Sequence, residues 1–252
     1  LLNQFNGNLE KVRSLCHFTT HTPVPAGHDI FSFTLVKNLL DDSVPDDLEL
    51  PSIKKDGRFH MTELGLFFSR SANGVSRLHG DVAQNQFSWS KIGSITNGVH
   101  HITWTSDSFK SLFDKESIEW RTDSTYIKKM DFSNEDLIYA KENSRIQLRN
   151  FVEKETGIQL DPEKLTIGFA RRFATYKRAN LIFKNLERLR NIGSNKIQFV
   201  FSGKAHPKDM GGKMLIKSIY DRASKIQDEI PVIFLENYSM DTGLLMTAGS
   251  DI

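Results

Sequence analysis

The sequence predicts an α/β protein whose second half contains a parallel sheet with helices on both faces. Three observations lead to this prediction. Short, continuously apolar runs occur at 165–170, 197–202 and 232–235, as in strands that are buried on both sides. Stretches with helical spacing separate these runs, and parallel strands need such crossovers. No internal repeat or low-complexity tract interrupts the alternation.

The helices of the second half are predicted from their capping residues and apolar spacing. Ser133 and Asp136 form a capping-box-like start for a long helix that ends near Gly157. Apolar residues at helical spacing predict further helices at 176–190, at 208–227 and around 242–248.

The first half has shorter and less regular patterns. They predict a strand at 12–18, a loop at 19–27, helices at 30–40 and 59–77, an exposed acidic connection at 41–57, and weak helix at 107–126. The segment 107–126 is the expected hinge between two parts of the chain.

Composition excludes several classes of protein. A chain of 252 residues, of which 38% are hydrophobic, can form one large domain or two ordinary ones. Its net charge of +2 gives no general reason to expect nucleic acid or a membrane surface as a partner. The single cysteine, Cys16, excludes an internal disulfide framework and fits a reducing cytoplasm. We see no apolar run of the roughly 20 residues that a membrane span needs, and no signal-peptide pattern.

The most distinctive stretch is RRFATYKR at 171–178, between a predicted strand and a predicted helix. Its cations would lie in the first turn of that helix, where the helix dipole disfavours positive charge. A bound anion, most simply a phosphate, would resolve this conflict. A solvated basic patch is the alternative, and position alone does not decide between the two.

Polar clusters follow each of the three predicted strands, at 171–177, 203–206 and 236–238. Ligands of parallel α/β sheets bind at the carboxyl ends of the strands, so these clusters are expected to share one edge. Gly203-Lys204 is not a nucleotide phosphate loop, because its upstream glycine is missing and Ala205 stands where Ser or Thr would hold magnesium.

Several isolated side chains have both an ordinary and a functional interpretation. His17, His21 and His28 lie on a predicted strand-to-loop segment, whose spacing does not bring them together, so we expect no metal there. A single loop histidine can instead bind sugar hydroxyls. Asn97, followed by glycine, is favoured as a turn residue, although its amide can bind a hydroxyl. Tyr238 is either an aromatic at the edge of the core or a contact for a flat cofactor.

His100 and His101 are expected to alternate across a strand, so that at most one of them faces a given site. No Ser-His-Asp or Cys-His arrangement is recognisable, which gives no support to nucleophilic hydrolysis.

Six motifs occur in a fixed order: HFTTHTPVPAGHD (17–29), SANGVSRLHG (71–80), TNGVH (96–100), GFARRFATYKR (168–178), SGKAHP (202–207) and VIFLENYSM (232–240). Together they resemble the α-glucan (glycogen/maltodextrin) phosphorylases, particularly the compact bacterial and archaeal form. The resemblance extends from about Cys16 to the last residue, and it favours phosphate as the partner of the basic stretch.

The resemblance implies a GT-B fold, with two Rossmann-like lobes that face each other across a cleft. Residues 1–110 would be the end of the N-terminal, glucan-binding lobe, and 111–252 the hinge and the first part of the C-terminal lobe. The implied reaction is a retaining transfer of a terminal glucosyl unit from an α-1,4-glucan to inorganic phosphate, which gives α-D-glucose 1-phosphate. The family uses pyridoxal 5′-phosphate, whose phosphate exchanges a proton with the substrate phosphate.

The resemblance also implies roles for six residues, two of them in catalysis. Arg172 matches the arginine that binds the substrate phosphate, and Lys177 the lysine beside both phosphates. Arg171 falls where many relatives have a lysine near the cofactor phosphate. His21 and Asn97 match groups that bind glucose hydroxyls, and Tyr238 matches a tyrosine at the cofactor ring. No residue is expected to bind a metal.

The sequence departs from the family in two respects. Much of the first lobe, with its glycine-rich loop near the cofactor phosphate, is not found at the start of the chain. The lysine that forms a Schiff base with the cofactor belongs to a glycine-rich motif that does not occur before Ile252. We therefore expect the chain to be an internal fragment that is inactive alone. Two alternatives stay open: a nucleotide-sugar glycosyltransferase of the GT-B type, and a non-catalytic domain that binds phosphate or glucan. The oligomeric state is left open.

Overall fold

A computed structural model describes residues 1–40 and 53–252. The chain divides into two compact units, Leu1–Gly98 and Val99–Ile252. This division comes earlier in the chain than the boundary after residue 110 that the sequence suggested. The assignment of the two parts to lobes of a larger enzyme stays a prediction.

The first unit combines short strands with short helices. Its elements are α1 (Leu9–Leu15), β1 (His17–Thr20), β2 (Ile30–Ser32), α2 (Phe33–Leu40), β3 (Lys54–Lys55), β4 (Arg58–His60), α3 (Met61–Phe67), β5 (Ser71–Gly74), α4 (Arg77–Gln86) and β6 (Ile92–Ser94). One sheet is parallel, with the strand order β1-β5-β6, and the other is antiparallel, with the order β2-β4-β3.

Small residues allow the parallel sheet of this unit to approach α4 closely. A β-carbon on Gly74, at the end of β5, would lie 2.7 Å from the backbone nitrogen of Gly80. A β-carbon on Gly80 would lie 2.9 Å from the carbonyl oxygen of Gly93, which belongs to β6. The first turn of α4 therefore packs directly on the backbone of β5 and β6.

Three predictions for the first unit are wrong in part. The segment 12–18 is mostly helix α1, because Asn8 caps it by accepting a 2.9 Å hydrogen bond from the Lys11 N–H, and the strand begins only at His17. The single helix predicted at 59–77 is interrupted by β5, which is buried between β1 and β6. The helix predicted at 30–40 begins only at Phe33, since the preceding residues form β2.

Most of the acidic connection predicted at 41–57 lies outside the described residues. Its last part forms β3 and the turn that leads into β4, with Asp56 and Gly57 at positive φ of 55° and 69°.

The second unit alternates helices and strands. Its elements are α5 (His101–Trp104), α6 (Asp107–Glu116), α7 (Asn134–Thr156), β7 (Leu165–Ala170), α8 (Leu186–Gly193), β8 (Ile197–Ser202), α9 (Met210–Ala223), β9 (Val232–Leu235) and α10 (Met240–Gly249). The sheet is parallel, with the strand order β7-β8-β9, and every residue of β8 is buried. The predicted α/β class and the three predicted strands are confirmed.

Helices cover both faces of this sheet, as predicted. One core includes Phe199 and Phe201 of β8 and Ile219 of α9. The other includes Val200 of β8 and residues of α7 and α10, such as Leu148 and Met246. Helix α7 begins at the predicted cap, where Ser133 Oγ accepts from the Asp136 N–H at 3.0 Å.

Residues 250–252 lie along the side of β7 that faces away from β8. Ile252 donates its N–H to Thr166 O at 3.3 Å and accepts from the Gly168 N–H at 2.8 Å, as a residue of a parallel neighbouring strand would. The Thr166 N–H donates to Asp251 Oδ2 at 2.8 Å. Since α10 brings the chain from β9 to the opposite side of β7, the winding of the sheet reverses at β7. Such a reversal point is where open α/β sheets bind their ligands.

The helix predicted at 176–190 is the main error in the second unit. Only α8 is α-helical there, and 3-10 turns at Thr175–Lys177 and Leu181–Phe183 precede it. Arg178 adopts a positive φ of 52°, which an α-helix excludes, and Asn185 caps α8 by accepting from the Arg188 N–H at 2.9 Å. The basic stretch is therefore not the first turn of an α-helix, and the helix-dipole argument for an anion does not apply.

Candidate functional site

Backbone and side-chain hydrogen bonds connect the ends of the three strands in the second unit. The Arg171 N–H donates to Ser202 O at 3.1 Å, and the Phe173 N–H donates to Lys204 O at 3.0 Å. The fully buried Ser202 hydroxyl donates to Leu235 O at 2.8 Å. The polar clusters after β7, β8 and β9 therefore share one continuous edge, as the sequence predicted.

Gly203 allows the loops after β7 and β8 to approach each other. Its φ of +155° is unfavourable for other residues, and a β-carbon there would collide with Arg171 O and lie 2.8 Å from the Phe173 ring. A β-carbon on Gly212, in the first turn of α9, would lie 2.5 Å from Phe173 O. Two glycines thus hold the loop after β7 between the end of β8 and the start of α9.

Phe173 anchors the basic stretch to the hydrophobic core. Its side chain is fully buried, with its ring 5.5 Å from that of Phe169 and 5.6 Å from that of Phe234. The residues just before it, Arg171 and Arg172, are exposed. The core therefore fixes the backbone of this stretch while its guanidinium groups face solvent.

Four cations of this edge lack an acidic partner within residues 1–40 and 53–252. Arg171, Arg172 and Lys204 are exposed, and Lys177 is half-buried with Nζ 5.5 Å from the centroid of the Tyr176 ring. Other arginines of this unit are paired: Arg149 with Glu142 at 2.7 Å, for example. Four unpaired cations on one sheet edge repel one another, and a polyanion would offset that repulsion.

Tyr238 lies three residues after β9, on the same edge. Its hydroxyl oxygen is 2.8 Å from the position that a β-carbon on Gly243 would take, so the ring packs against the first turn of α10. The side chain is half-buried, which leaves part of the ring free to contact a ligand. Glu236 is an exposed acidic residue of this edge. Burial raises the pKa of Tyr220, and the charge of Glu236 raises it further.

In the first unit, His21 and Asn97 follow two strands of the parallel sheet. His21 comes directly after β1, and its side chain is exposed. The Asn97 N–H donates to Val75 O at 3.1 Å, just beyond β5. The carboxyl edge of this sheet therefore carries both residues. Their side chains form no hydrogen bond with any residue that the structure describes.

The turn predicted at Asn97-Gly98 is wrong. Neither residue has a positive φ, and the chain from Ile95 to Asn97 continues beside the end of β5, with the Ile95 N–H donating to Gly74 O at 2.9 Å. Pairing with the end of β5 outweighs the local preference of Asn-Gly for a turn. The amide of Asn97 is thus presented from an extended segment.

Two of the three histidines considered for a metal site, His17 and His28, have other hydrogen-bond partners. His17 contacts Ser71 Oγ at 2.8 Å and Asn73 Oδ1 at 2.6 Å, so both of its ring nitrogens are occupied. His28 Nδ1 contacts Thr62 Oγ1 at 2.9 Å. Over the described ranges, no group of three or more His, Cys, Asp or Glu side chains is arranged to hold a metal ion.

The strand predicted at His100-His101 is wrong as well. His100 caps α5, with Nδ1 2.7 Å from Thr103 Oγ1 and 3.4 Å from the Thr103 nitrogen. His101, the first residue of that helix, places Nε2 2.9 Å from Trp120 O. Both histidines therefore have local structural contacts in the second unit.

Residues 36–252 match the family model described as carbohydrate phosphorylase. The chain belongs to the carbohydrate phosphorylase family. It is 33% identical to the maltodextrin phosphorylase of Thermococcus litoralis, over 97% of this chain and 33% of that protein. It is 32% identical to the glycogen phosphorylase of Mycobacterium tuberculosis, over 98% of this chain and 34% of that protein. For the glycogen phosphorylase of Aquifex aeolicus the identity is 30%, over 97% of this chain and 41% of that protein.

This phosphorylase chain thus spans about a third of the length of the first two relatives, and somewhat more of the third. Its α/β architecture is that of a partial GT-B fold, as the resemblance predicted. Phosphorylases in general depend on pyridoxal phosphate and act on glucan and phosphate. Within residues 1–40 and 53–252, no helix combines the length and the apolarity that crossing a membrane takes.

The sequence analysis left two residues of these sites without a role. It placed the cluster 203–206 on the same edge as Arg171, but it gave Lys204 no function once the phosphate-loop motif was rejected. It gave no role to His79, which lies inside one of the motifs that carried the resemblance.

Proposed function

We propose that this chain forms part of an α-1,4-glucan phosphorylase, which transfers a terminal glucosyl unit to inorganic phosphate. The supporting observation is the edge at the carboxyl ends of β7, β8 and β9, where Arg171, Arg172, Lys177 and Lys204 lack acidic partners among the described residues. This edge lies at the winding reversal of the sheet, and the chain belongs to the phosphorylase family.

In this proposal Arg172 binds the substrate phosphate. Its planar guanidinium can donate two parallel hydrogen bonds to phosphate oxygens, and its side chain is exposed on a backbone that the buried Phe173 fixes. Lys177 acts as a point charge beside the phosphate groups. Because the buried Phe173 fixes the backbone that carries Arg172, this part of the chain needs little reorganisation when the anions bind.

The donor set of this edge fits pyridoxal 5′-phosphate in two respects. Arg171 and Lys177 supply positive charge for a phosphate, and the half-buried ring of Tyr238 offers an aromatic surface beside the same edge. When bound, the cofactor supplies a phosphate that exchanges a proton with the substrate phosphate. None of the residues described here is assigned to a Schiff base, and we expect no activity from the chain alone.

His21 and Asn97 hold the glucosyl unit in this proposal. Each presents an exposed side chain without a hydrogen-bond partner among the described residues, at the carboxyl edge of one sheet. An imidazole and an amide can each donate to or accept from a sugar hydroxyl. A site built in this way discriminates against sugars that lack the hydroxyl.

The test is phosphorolysis of maltoheptaose by the full-length protein that contains this chain, with and without added pyridoxal phosphate. Cofactor-dependent release of glucose 1-phosphate is the expected result. Absence of release, together with transfer from a nucleotide sugar, would contradict the proposal and move the chemistry to a different glycosyltransferase reaction. Binding of phosphate or glucan without turnover would reduce the function to that of a binding domain.

A further inference from the structure

His79 lies in the first turn of α4, at the carboxyl edge of the β1-β5-β6 sheet. Its side chain is 9% exposed, and its backbone N–H donates to the capping Ser76 Oγ at 3.1 Å. A β-carbon on Gly74 would lie 2.9 Å from the carbonyl carbon of His79. The backbone of His79 is therefore fixed by a helix cap and by direct packing of α4 on β5.

The ring of His79 accepts a hydrogen bond from the backbone beyond β5. The Val75 N–H donates to His79 Nδ1 at 3.1 Å. A ring nitrogen that accepts carries no proton, so the neutral imidazole has its proton on Nε2. Burial lowers the pKa of His79, and repulsion from His21 lowers it further, which keeps the ring in this neutral form.

Val75 connects His79 to Asn97. While the N–H of Val75 donates to the imidazole, its carbonyl oxygen accepts from the Asn97 N–H at 3.1 Å. The segment that carries Asn97 is exposed and belongs to no helix or strand. Two backbone hydrogen bonds hold it beside the end of β5, from the Ile95 N–H to Gly74 O and from the Asn97 N–H to Val75 O, and the second of these belongs to the chain that starts at His79.

The second ring nitrogen of His79 contributes nothing to this chain of bonds. His79 Nε2 is buried and has no hydrogen-bond partner among the residues that the structure describes. A buried N–H without a partner costs free energy. The His79 side chain thus contributes to the position of Asn97 through Nδ1.

We propose that His79 is a positioning residue of the glucosyl-binding site, which places Asn97 by accepting the Val75 N–H at Nδ1. This inference rests on the proposed function, because it needs Asn97 to bind the glucosyl unit. It concerns glucan binding alone and leaves the phosphate contacts to the cations of the second unit.

Two substitutions separate the roles of the two ring nitrogens. In His79→Asn, the amide oxygen takes the place of Nδ1 and can still accept from Val75, while the buried Nε2–H is removed. In His79→Gln, the amide group takes the place of Nε2, and the acceptor for Val75 is lost. His60→Gln is the control, since His60 belongs to the same unit but is the last residue of β4, in the other sheet.

The experiment measures kcat and the KM values for maltoheptaose and phosphate in the full-length protein. We expect His79→Gln to raise the KM for maltoheptaose about tenfold, as loss of one positioning hydrogen bond would. The KM for phosphate should stay within about twofold of the wild-type value. His79→Asn and His60→Gln should resemble the wild type in both constants.

Each other result contradicts the inference. Equal losses in His79→Asn and His79→Gln would show that neither ring nitrogen acts alone, and a loss in His79→Asn only would assign the role to Nε2. If His79→Gln fails to fold, the proposal is tested by His79→Asn alone. A tenfold higher KM for maltoheptaose in His79→Asn would then overturn the proposal. A wild type without phosphorolysis would refute the proposed function and this inference with it, whereas an active wild type with indistinguishable variants would refute only the inference.

Discussion

The carbonyl oxygen of Arg171 occupies the position that a β-carbon on Gly203 would need. The loop after β7 therefore approaches the end of β8 backbone to backbone, and the neighbouring Phe173 ring closes the remaining space. The positions of the cations that we assign to phosphate binding depend on this contact, because it determines where the chain leaves β7.

Gly203→Ala should destabilise the second unit and displace the basic stretch. The backbone must move to relieve the collision with Arg171 O, at a cost of about 1–3 kcal/mol in the free energy of unfolding. Urea denaturation measures this change. Gly211→Ala is the matched control. Gly211 lies in the first turn of α9 without a positive φ, and the atom nearest to a β-carbon there would be the Thr175 methyl carbon, at 3.1 Å. Equal stability of both variants would contradict the prediction.

Arg172→Ala should lower phosphorolysis in the full-length protein by about two orders of magnitude or more, because a charged transition-state contact is lost. Arg188→Ala removes the same charge from an exposed position of α8, in the same unit, and should leave turnover unchanged. The comparison uses kcat/KM for phosphate. Near-wild-type turnover in Arg172→Ala would remove the central assignment of the proposed site.

Asp251→Ala should destabilise the side of the sheet formed by β7. The variant loses the acceptor for the Thr166 N–H and the 3.4 Å ion pair with Arg145, at an expected cost of about 1–3 kcal/mol. Thermal and urea unfolding provide the measurement. Asp228→Ala is the control, because Asp228 is exposed and forms no ion pair within the described residues. A loss of stability in Asp251→Ala no larger than that in Asp228→Ala would argue against the pairing of residues 250–252 with β7.

Asp114 should stabilise the second unit in a pH-dependent way. Its pKa is lowered to about 2 because Arg121 and then Trp120 donate hydrogen bonds to the carboxylate. Since the pKa of Asp114 in the folded state lies below its ordinary value of 3.8, this stabilisation is present above pH 3.8 and is lost as the pH falls toward 2. Asp114→Asn should therefore be less stable than the wild type at neutral pH, and the difference should shrink in acid.

Denaturant titrations of the wild type and of Asp114→Asn at neutral pH and at about pH 3 test this pH dependence of stability. Asp107→Asn serves as the comparison, because the Asp107 side chain is 87% exposed in its ion pair with Lys110, and such pairs contribute little. A difference between Asp114→Asn and wild type that does not change with pH would show that the carboxylate charge is not the cause.

The sequence predicts the second unit better than the first. Strands 165–170, 197–202 and 232–235 and the long helix after Ser133 agree with the structure, because continuous apolar runs and a side-chain cap are local signals. Short strands such as Ser71–Gly74 lack a continuous apolar run, because they consist of small residues that allow close backbone packing. The helix prediction for 176–190 is wrong because Arg178 has a positive φ. Arginine has no intrinsic preference for that conformation, so the sequence alone does not indicate it.

Parts of the candidate sites were predictable for the same reason. That the polar clusters share an edge follows from the parallel order of the strands, and the structure agrees. The connection from His79 through Val75 to Asn97 joins residues from a helix, a strand end and an irregular segment, and no spacing rule predicts it. The individual roles assigned to Arg171, Arg172, Lys177, Tyr238, His21 and Asn97 stay predictions.

The pairing of residue 252 with β7 has a consequence for how the second unit folds. β7 pairs with β8, which follows it at Ile197–Ser202, and on its other side with residues that come only after α10. Closing that larger loop costs more chain entropy before any contact repays it, so this side of the sheet should form late. Amide protons of Ile197–Ser202 should then be protected early in refolding, whereas the amides of Thr166 and Gly168 should become protected only when the last helix has docked.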